Sequence, residues 1–443
     1  MRKRLHWLTL VAGLSLVLAA CGASGKSSTT DKNASSGSTT TAKASGQTVE
    51  VAAVWSGDEQ AAFQKVLDAF TAKTGIKTSF SSTGDDIATV LGTRLQGGQP
   101  PDVAVLPQPG LLNDLAKAGS LKPIDDVAGS LVDQHYSKDW RNLGTVDGKL
   151  YGVWFKAANK STFWYRKASF KDAGVQPPTT WKDLQTVAST LSDAGTTPFS
   201  LGGANGWTLT DWFENVYLRT AGPDKYDQLA KHQIPWTDPS VKTALTTLSD
   251  VFGKPKWLAG GTEGALANDM PKSVTTVFSE PSKAAMVYEG DFVASTITKE
   301  TPAKLGTDAD FFPFPEIGSS GKSVVGGGDV AVLMKDTDPG KQLVKFLATP
   351  EAAEVWAKQG GYTSPNKDLD TKAYPDDITR RSAEQLTSAT VFRFDLSDLQ
   401  PAAFGGTDGQ GMWKLLQDFL RNPANVDSIQ QQLEAAATAA YKK

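Results

Sequence analysis

The chain has 443 residues, 48 acidic against 45 basic side chains and a formal net charge of −3. It therefore carries no basic excess for nucleic acid or acidic lipid head groups. One cysteine and three histidines exclude an internal disulfide and a Cys/His metal set, and the length points to two domains or lobes rather than one.

Arg2, Lys3 and Arg4 precede an apolar run from Leu8 to Ala20. This is the layout of a secretory signal peptide over residues 1–20, and the run is shorter than the ~20 residues of a membrane-spanning helix. Leu18, Ala19, Ala20 and Cys21 resemble a bacterial lipobox. That resemblance implies cleavage before Cys21 and a diacylglycerol on its sulfur. Gly22 to Gln47 contains no aromatic residue and no Leu, Ile or Val. It cannot bury enough apolar surface to offset its ordering entropy. Residues 21–47 are therefore expected to be a lipidated cysteine and a flexible tether, holding the protein at the outer face of a bacterial membrane.

The globular text begins with a strand over Val49–Val54. A helix follows, with Phe63, Val66, Leu67 and Phe70 on one face and Gly75 as its stop. Lys77–Ser81 reads as a strand. Ile87, Val90, Leu91 and Leu95 share a second helical face that ends at Gly97, and Val103–Leu106 is a third strand. Strand, helix, strand, helix, strand predicts a parallel α/β sheet. "KLYGVWFK" and "STFWYRKASF" read as two aromatic-rich strands. A helix is predicted after Pro177-Pro178, with Thr180 near its N-cap and Leu184, Val187, Ala188 and Leu191 on one face. Residues 208–252 read as helical, broken near Pro223 and Pro235. "AAMVYEGDFVAS" reads as strand, glycine turn and helix start; "KSVVGGGDVAVLM" as strand, glycine break and strand. "PGKQLVKFLATPEAAEVWAKQGG" is a helix pair, and the tail from Asp408 is helical.

Specific catalytic motifs are missing. "GSSGKS" at Gly318–Ser323 lacks the glycine a P-loop needs, because Glu316 stands there. The "GGGD" at Gly326–Asp329 has neither the third-glycine spacing nor the helix of a dinucleotide fingerprint. No G-x-S-x-G elbow is present. His135 and His232 read as surface or loop residues. Paired carboxylates of the glycosidase kind remain open, but 48 Asp and Glu make such pairs easy to find. Twelve tryptophans exceed ordinary core needs and suit the apolar faces of sugar rings.

In their order, these pieces resemble the extracellular solute-binding proteins of ABC importers, in the branch that serves carbohydrates. The matching text is the lipobox at Cys21, Trp55–Gly57, "PPDVAVLP", "DGKLYGV", "FWYRKASFKDAGV…PPTTWKDL", "AAMVYEGDFVAS", "GGGDVAVLMK" and "FLATPEAAEVWAKQGGYTSPNK". Within that branch the text is most similar to binding proteins for α-glucosides and related oligosaccharides. The resemblance implies an α/β, two-lobed periplasmic-binding-protein fold of type II, with a cleft between lobes joined by hinge strands. Lobe I would hold residues 48–127 plus 316–368, and lobe II residues 128–315 plus 369–443. It also implies a monomeric receptor without cofactor, bound metal or catalysis, which captures a sugar and delivers it to the transmembrane subunits of a permease. A secreted carbohydrate hydrolase and a receptor for a non-sugar solute are the alternatives.

Sugar capture needs aromatic faces for the rings and carboxylates, amides or lysines for the hydroxyls. At strand ends and turns the candidates are Trp55, Glu59, Asp85, Gln108, Trp154 and Lys156. The glycine-rich approach to "GWTLTDWFEN" adds Trp207 and Asp211, whereas Trp212 reads as core. "VYEGDFVAS" adds Glu289, Gly290, Asp291 and Phe292. Asp329 follows the three glycines, and Asp395 is the choice within "FRFDLSDLQP".

Overall fold

The computed structural model describes residues 46–442. The leader, Cys21 and the tether up to residue 45 lie outside the described residues. The strands are β1 (Thr48–Ala53), β2 (Lys77–Ser82), β3 (Val103–Leu106), β4 (Thr145–Val146), β5 (Lys149–Leu150), β6 (Gly152–Asn159), β7 (Thr162–Arg166), β8 (Phe199–Ser200), β9 (Met286–Glu289), β10 (Ala309–Pro313), β11 (Ser323–Leu333) and β12 (Val391–Phe394).

The first sheet runs β12-β11-β3-β1-β2, with β6 also paired to β11. Both pairings of β1 are parallel, as the strand–helix–strand pattern requires. The intervening helix Gly57–Thr74 buries Phe63, Val66, Leu67 and Phe70, the predicted face, and ends at Gly75 with φ 80°. The second sheet runs β10-β7-β9-β8. Thr180 and Asp183 form a reciprocal capping box at the start of the helix Trp181–Asp193.

Two large apolar clusters follow this division. One gathers Val49, Val51, Phe63, Val105 and Leu343, and reaches Val132, Val146, Leu150 and Trp154 beyond residue 127. The other gathers Phe163, Trp212, Phe213, Leu245 and Phe419. Strand β11 passes between them: Val325 belongs to the second cluster and Val330 to the first. Strand β6 lies antiparallel beside it. The chain thus forms the two-lobed α/β fold, with long strands crossing between the lobes.

The expected glycine break in β11 does not occur; the strand runs unbroken through Gly326–Gly328. The glycines instead admit close neighbours. A Cβ at Gly328 would stand 2.5 Å from the Lys156 carbonyl oxygen, and one at Gly327 would stand 2.9 Å from the Lys160 stem. Asp329 pairs with Lys156 and Val330 with Trp154, so Phe155 is the extra residue of a bulge.

Candidate functional site

The carboxyl ends of β1 and β3 deliver Trp55 and Gln108 to a cavity of about 440 Å³. This is where open α/β sheets place their ligands. The opposite wall comes from three helix starts. Trp207 opens the helix Trp207–Ala221, Phe292 immediately precedes Val293–Glu300, and Asp269 caps Met270–Phe278 through the Lys272 N–H at 2.8 Å. Lys156 of β6, Lys160 of the β6–β7 turn, Asp329 of β11, and Asp398 and Trp413 from the C-terminal part also line the cavity.

Two lysines organise the charge. Lys156 is buried, pairs with Glu59 and stands 3.9 Å from Asp329. Its ammonium lies 5.5 Å from the ring centres of Phe292 and Trp356, and 6.0 Å from Trp55. Burial pulls its pKa down, but the carboxylates of Glu59 and Asp329 more than offset that and hold it above the ordinary value. Asp329 is pushed up to about 6 because its burial outweighs Lys156.

Lys160 stands 2.5 Å from Asp395, 3.3 Å from Asp211 and 3.7 Å from Asp398. Its backbone is fixed by Tyr288 and Asn215, which donate to its carbonyl at 2.8 and 2.9 Å. Burial works against the charge of Lys160, yet this ring of carboxylates raises its pKa well above the usual range. Asp395 is driven far below the ordinary carboxylate range: burial opposes its charge, but Lys160 and hydrogen bonds from its neighbours prevail. Asp211, Glu214 and Asp398 go the other way, raised by burial and by the nearby Asp395. Asp211 Oδ2 and Glu289 Oε1 are buried without a hydrogen-bond partner, and burial pushes Glu289 up to about 8 against the pull of Lys160.

Asp211, Glu214 and Asp395 bring three carboxylate oxygens within 4.8 Å of one another. Lys160 pairs with Asp211 and Asp395, and Glu214 accepts the backbone N–H groups of Leu396 and Ser397 at 2.7 and 2.9 Å. The donors are therefore engaged in an internal ion network rather than turned toward a metal.

Of the residues singled out in the sequence, Trp55, Glu59, Asp85, Gln108, Lys156, Trp207, Phe292 and Asp329 line the cavity together. Six others stand behind it. Trp154 is buried in the first cluster, 5.1 Å from the Phe394 ring and 5.5 Å from Trp140. Asp211 and Asp395 sit beneath the lining on Lys160, and Asp395 also caps the short helix Leu396–Leu399. Glu289 ends β9 and faces Asp211. Gly290 makes room for the Phe292 ring, which a Cβ would meet at 2.4 Å. Asp291 accepts from the Thr363 hydroxyl at 2.5 Å, tying the turn to the segment that bridges β6 at Ala157. Its pKa is pushed up to about 6 by burial, against Thr363 and Lys156.

Lys160, Asp398 and Trp413 were not legible as lining residues. The Trp413 indole N–H and the Gln108 side-chain carbonyl are buried without a hydrogen-bond partner, both at the cavity. Orphaned groups of this kind carry a desolvation cost that a ligand can relieve.

A two-lobed α/β fold with a polar, aromatic cleft at its strand ends defines a solute-binding protein. Residues 55–354 match the family model of the bacterial extracellular solute-binding proteins, and the chain belongs to that family. It is 37% identical over 372 residues to the osmoprotective compounds-binding protein GgtB of Synechocystis sp., covering 82% of this chain and 87% of that one. It is 34% identical over 397 residues to the alpha-glucosides-binding periplasmic protein AglE of Rhizobium meliloti, covering 86% and 85%. Among solved structures, the bacterial solute receptor AcbH matches with a TM-score of 0.78 at 22% identity, over 89% of this chain and 99% of that one. Among the described residues no helix is long and apolar enough to cross a membrane.

Proposed function

We propose that this protein is the substrate-binding component of an ABC importer that captures an α-glucoside or related di- or oligosaccharide and passes it to the permease. The observation that carries the reading is the pairing, in one cavity, of the Trp207 and Phe292 rings with the unpartnered Gln108 carbonyl and Trp413 indole N–H. Ring faces bury the apolar side of a sugar, and the orphaned groups take its hydroxyls. The volume of about 440 Å³ falls within the ~300–1,000 Å³ of small-molecule sites. Micromolar capture asks for roughly −8 kcal/mol net, which a stacked ring and a few charge-assisted hydrogen bonds can supply. The names of the relatives, an α-glucoside binder and a binder of osmoprotective compounds, support the same class.

Ligand contact is assigned to Trp55, Glu59, Asp85, Gln108, Lys156, Trp207, Phe292 and Asp329, with Lys160, Asp398 and Trp413. Trp154, Asp211, Glu289, Gly290, Asp291 and Asp395 take supporting roles. Closure of the lobes around the sugar is a hinge motion about the crossing strands. Cys21, outside the described residues, is assigned the lipid anchor that holds the receptor beside its permease.

The test is tryptophan fluorescence and calorimetry of residues 48–443 against mono- and oligosaccharides, amino acids and peptides, with product analysis of each sugar. Saturable binding of an intact disaccharide is expected. Turnover would move the protein to the hydrolase class, and a response confined to another solute would discard the carbohydrate reading.

A further inference from the structure

The charges around the cavity are unequal. Glu59 and Asp329 flank Lys156, and Asp398 reaches Lys160. Asp58, at 3.8 Å from Lys299, keeps its Oδ2 without a hydrogen bond. Asp85 stands at the mouth beside the Trp207 indole, with Asp86, Asp269 and Asp408 near enough to oppose its charge. Glu300 faces Asp58 and Asp269 in the same way. Seven carboxylates therefore line the space, against two lysines inside it and Lys299 at the rim. Neither interior lysine has charge to spare. The ammonium of Lys156 is held by Glu59 and caged by aromatic rings, and that of Lys160 is surrounded by Asp211, Asp395 and Asp398. The orphaned Gln108 Oε1 is a further acceptor.

We infer that the cavity selects its solute by charge: it takes neutral or amine-bearing solutes and rejects anionic ones. This rests on the sugar-receptor reading only for the scaffold that carries the charge. An anion entering the space meets seven carboxylates against two lysines that, among the described residues, are already paired with carboxylates. Its own hydration is lost without replacement. A hydroxyl or ammonium donor instead meets acceptors already in place. Low-dielectric walls strengthen the discrimination, and the part due to the mouth carboxylates is screened by salt.

The experiment is calorimetric binding of matched probes: trehalose and maltose, their 6-amino-6-deoxy derivatives and their 6-phosphates. A four-carbon non-sugar set, 1,4-butanediol, putrescine and succinate, runs beside them. The neutral and amino sugars are expected to bind, and the phosphates at least thirtyfold more weakly. That penalty is expected to shrink severalfold in high salt and in the Asp269→Asn/Glu300→Gln double variant, where asparagine keeps the helix cap. A sugar phosphate bound within threefold of its parent overturns the inference, as does a penalty insensitive to both salt and the double variant. Silence from every sugar with binding of putrescine over succinate overturns the sugar reading and supports charge selection. Succinate bound as well as putrescine overturns charge selection, and silence from all probes overturns both.

Discussion

Lys160→Met tests the ion network under the cavity. The methionine keeps the stem that Gly327 accommodates and removes only the ammonium. Contacts of 2.5, 3.3 and 3.7 Å to Asp395, Asp211 and Asp398 correspond to roughly 4–7 kcal/mol each in gross Coulomb energy at an effective dielectric of ~20. Most of that is cancelled by the cost of burying the ammonium. Removing one partner of a buried pair costs about 3–5 kcal/mol net, because the remaining charge is left uncompensated. Asp395 is the carboxylate most firmly held ionised by Lys160. Without the lysine its pKa rises, and protonation then relieves the strain by about 1.4 kcal/mol per pH unit below the new value. Urea unfolding should therefore show a loss of about 3–5 kcal/mol near pH 7.5, shrinking by ~1–3 kcal/mol near pH 5. Adding Asp395→Asn should recover part of the loss and flatten its pH dependence. A loss below ~1 kcal/mol, or one of equal size at both pH values, would refute this account of the network.

Further outcomes are expected elsewhere. Trp207→Ala should weaken sugar binding at least tenfold with little change in melting temperature, by fluorescence titration against thermal unfolding; unchanged affinity would remove Trp207 from the site. Asp291 and Asp329, both pushed up to about 6, hold protons more tightly folded than unfolded. Their contribution is present near pH 4 and is lost as pH rises through about 6, whereas the depressed Asp395 contributes above about pH 4 and is lost on acidification. Unfolding free energy should thus be greatest near about pH 4 and fall toward about pH 6, less steeply in Asp329→Asn; a steady rise from about pH 5 to 8 would contradict the assignment. In the full chain, Cys21→Ser should move the protein from the membrane to the soluble fraction, and retention at the membrane would exclude the anchor.

Local pattern carried much of the fold. The helix Gly57–Thr74 and the parallel strands beside it follow from apolar spacing and a glycine stop. The glycines of β11 misled, because a residue type that ends strands on its own served close approach by Lys156 and Lys160. In the cleft, Trp55 and Gln108 were legible because strand ends are positions along the sequence. Trp154 and Lys156 were not separable, since β6 is buried throughout and the bulge at Phe155 interrupts its alternation. Trp413 lies beside the apolar stripe of Met412, Leu416 and Phe419 on its helix; only packing against the loop at Gly206 turns it toward the cavity. Asp211 and Asp395, expected to face the ligand, pair instead with Lys160 beneath the lining.

The lining residues run from Val54 near one end of the described chain to Trp413 near the other, and β11 pairs with β3 and β12 from distant parts of the sequence. The cleft is therefore built from contacts of large sequence separation, which close slowly and late in folding. A nascent or proteolysed chain that ends before residue 398 has neither Asp398 nor Trp413 and lacks a complete site. Ligand affinity can then appear only after the chain has left the ribosome and its final segment has returned to the first-made lobe. This arrangement leaves the polypeptide without a complete binding site until its last segment has joined the first.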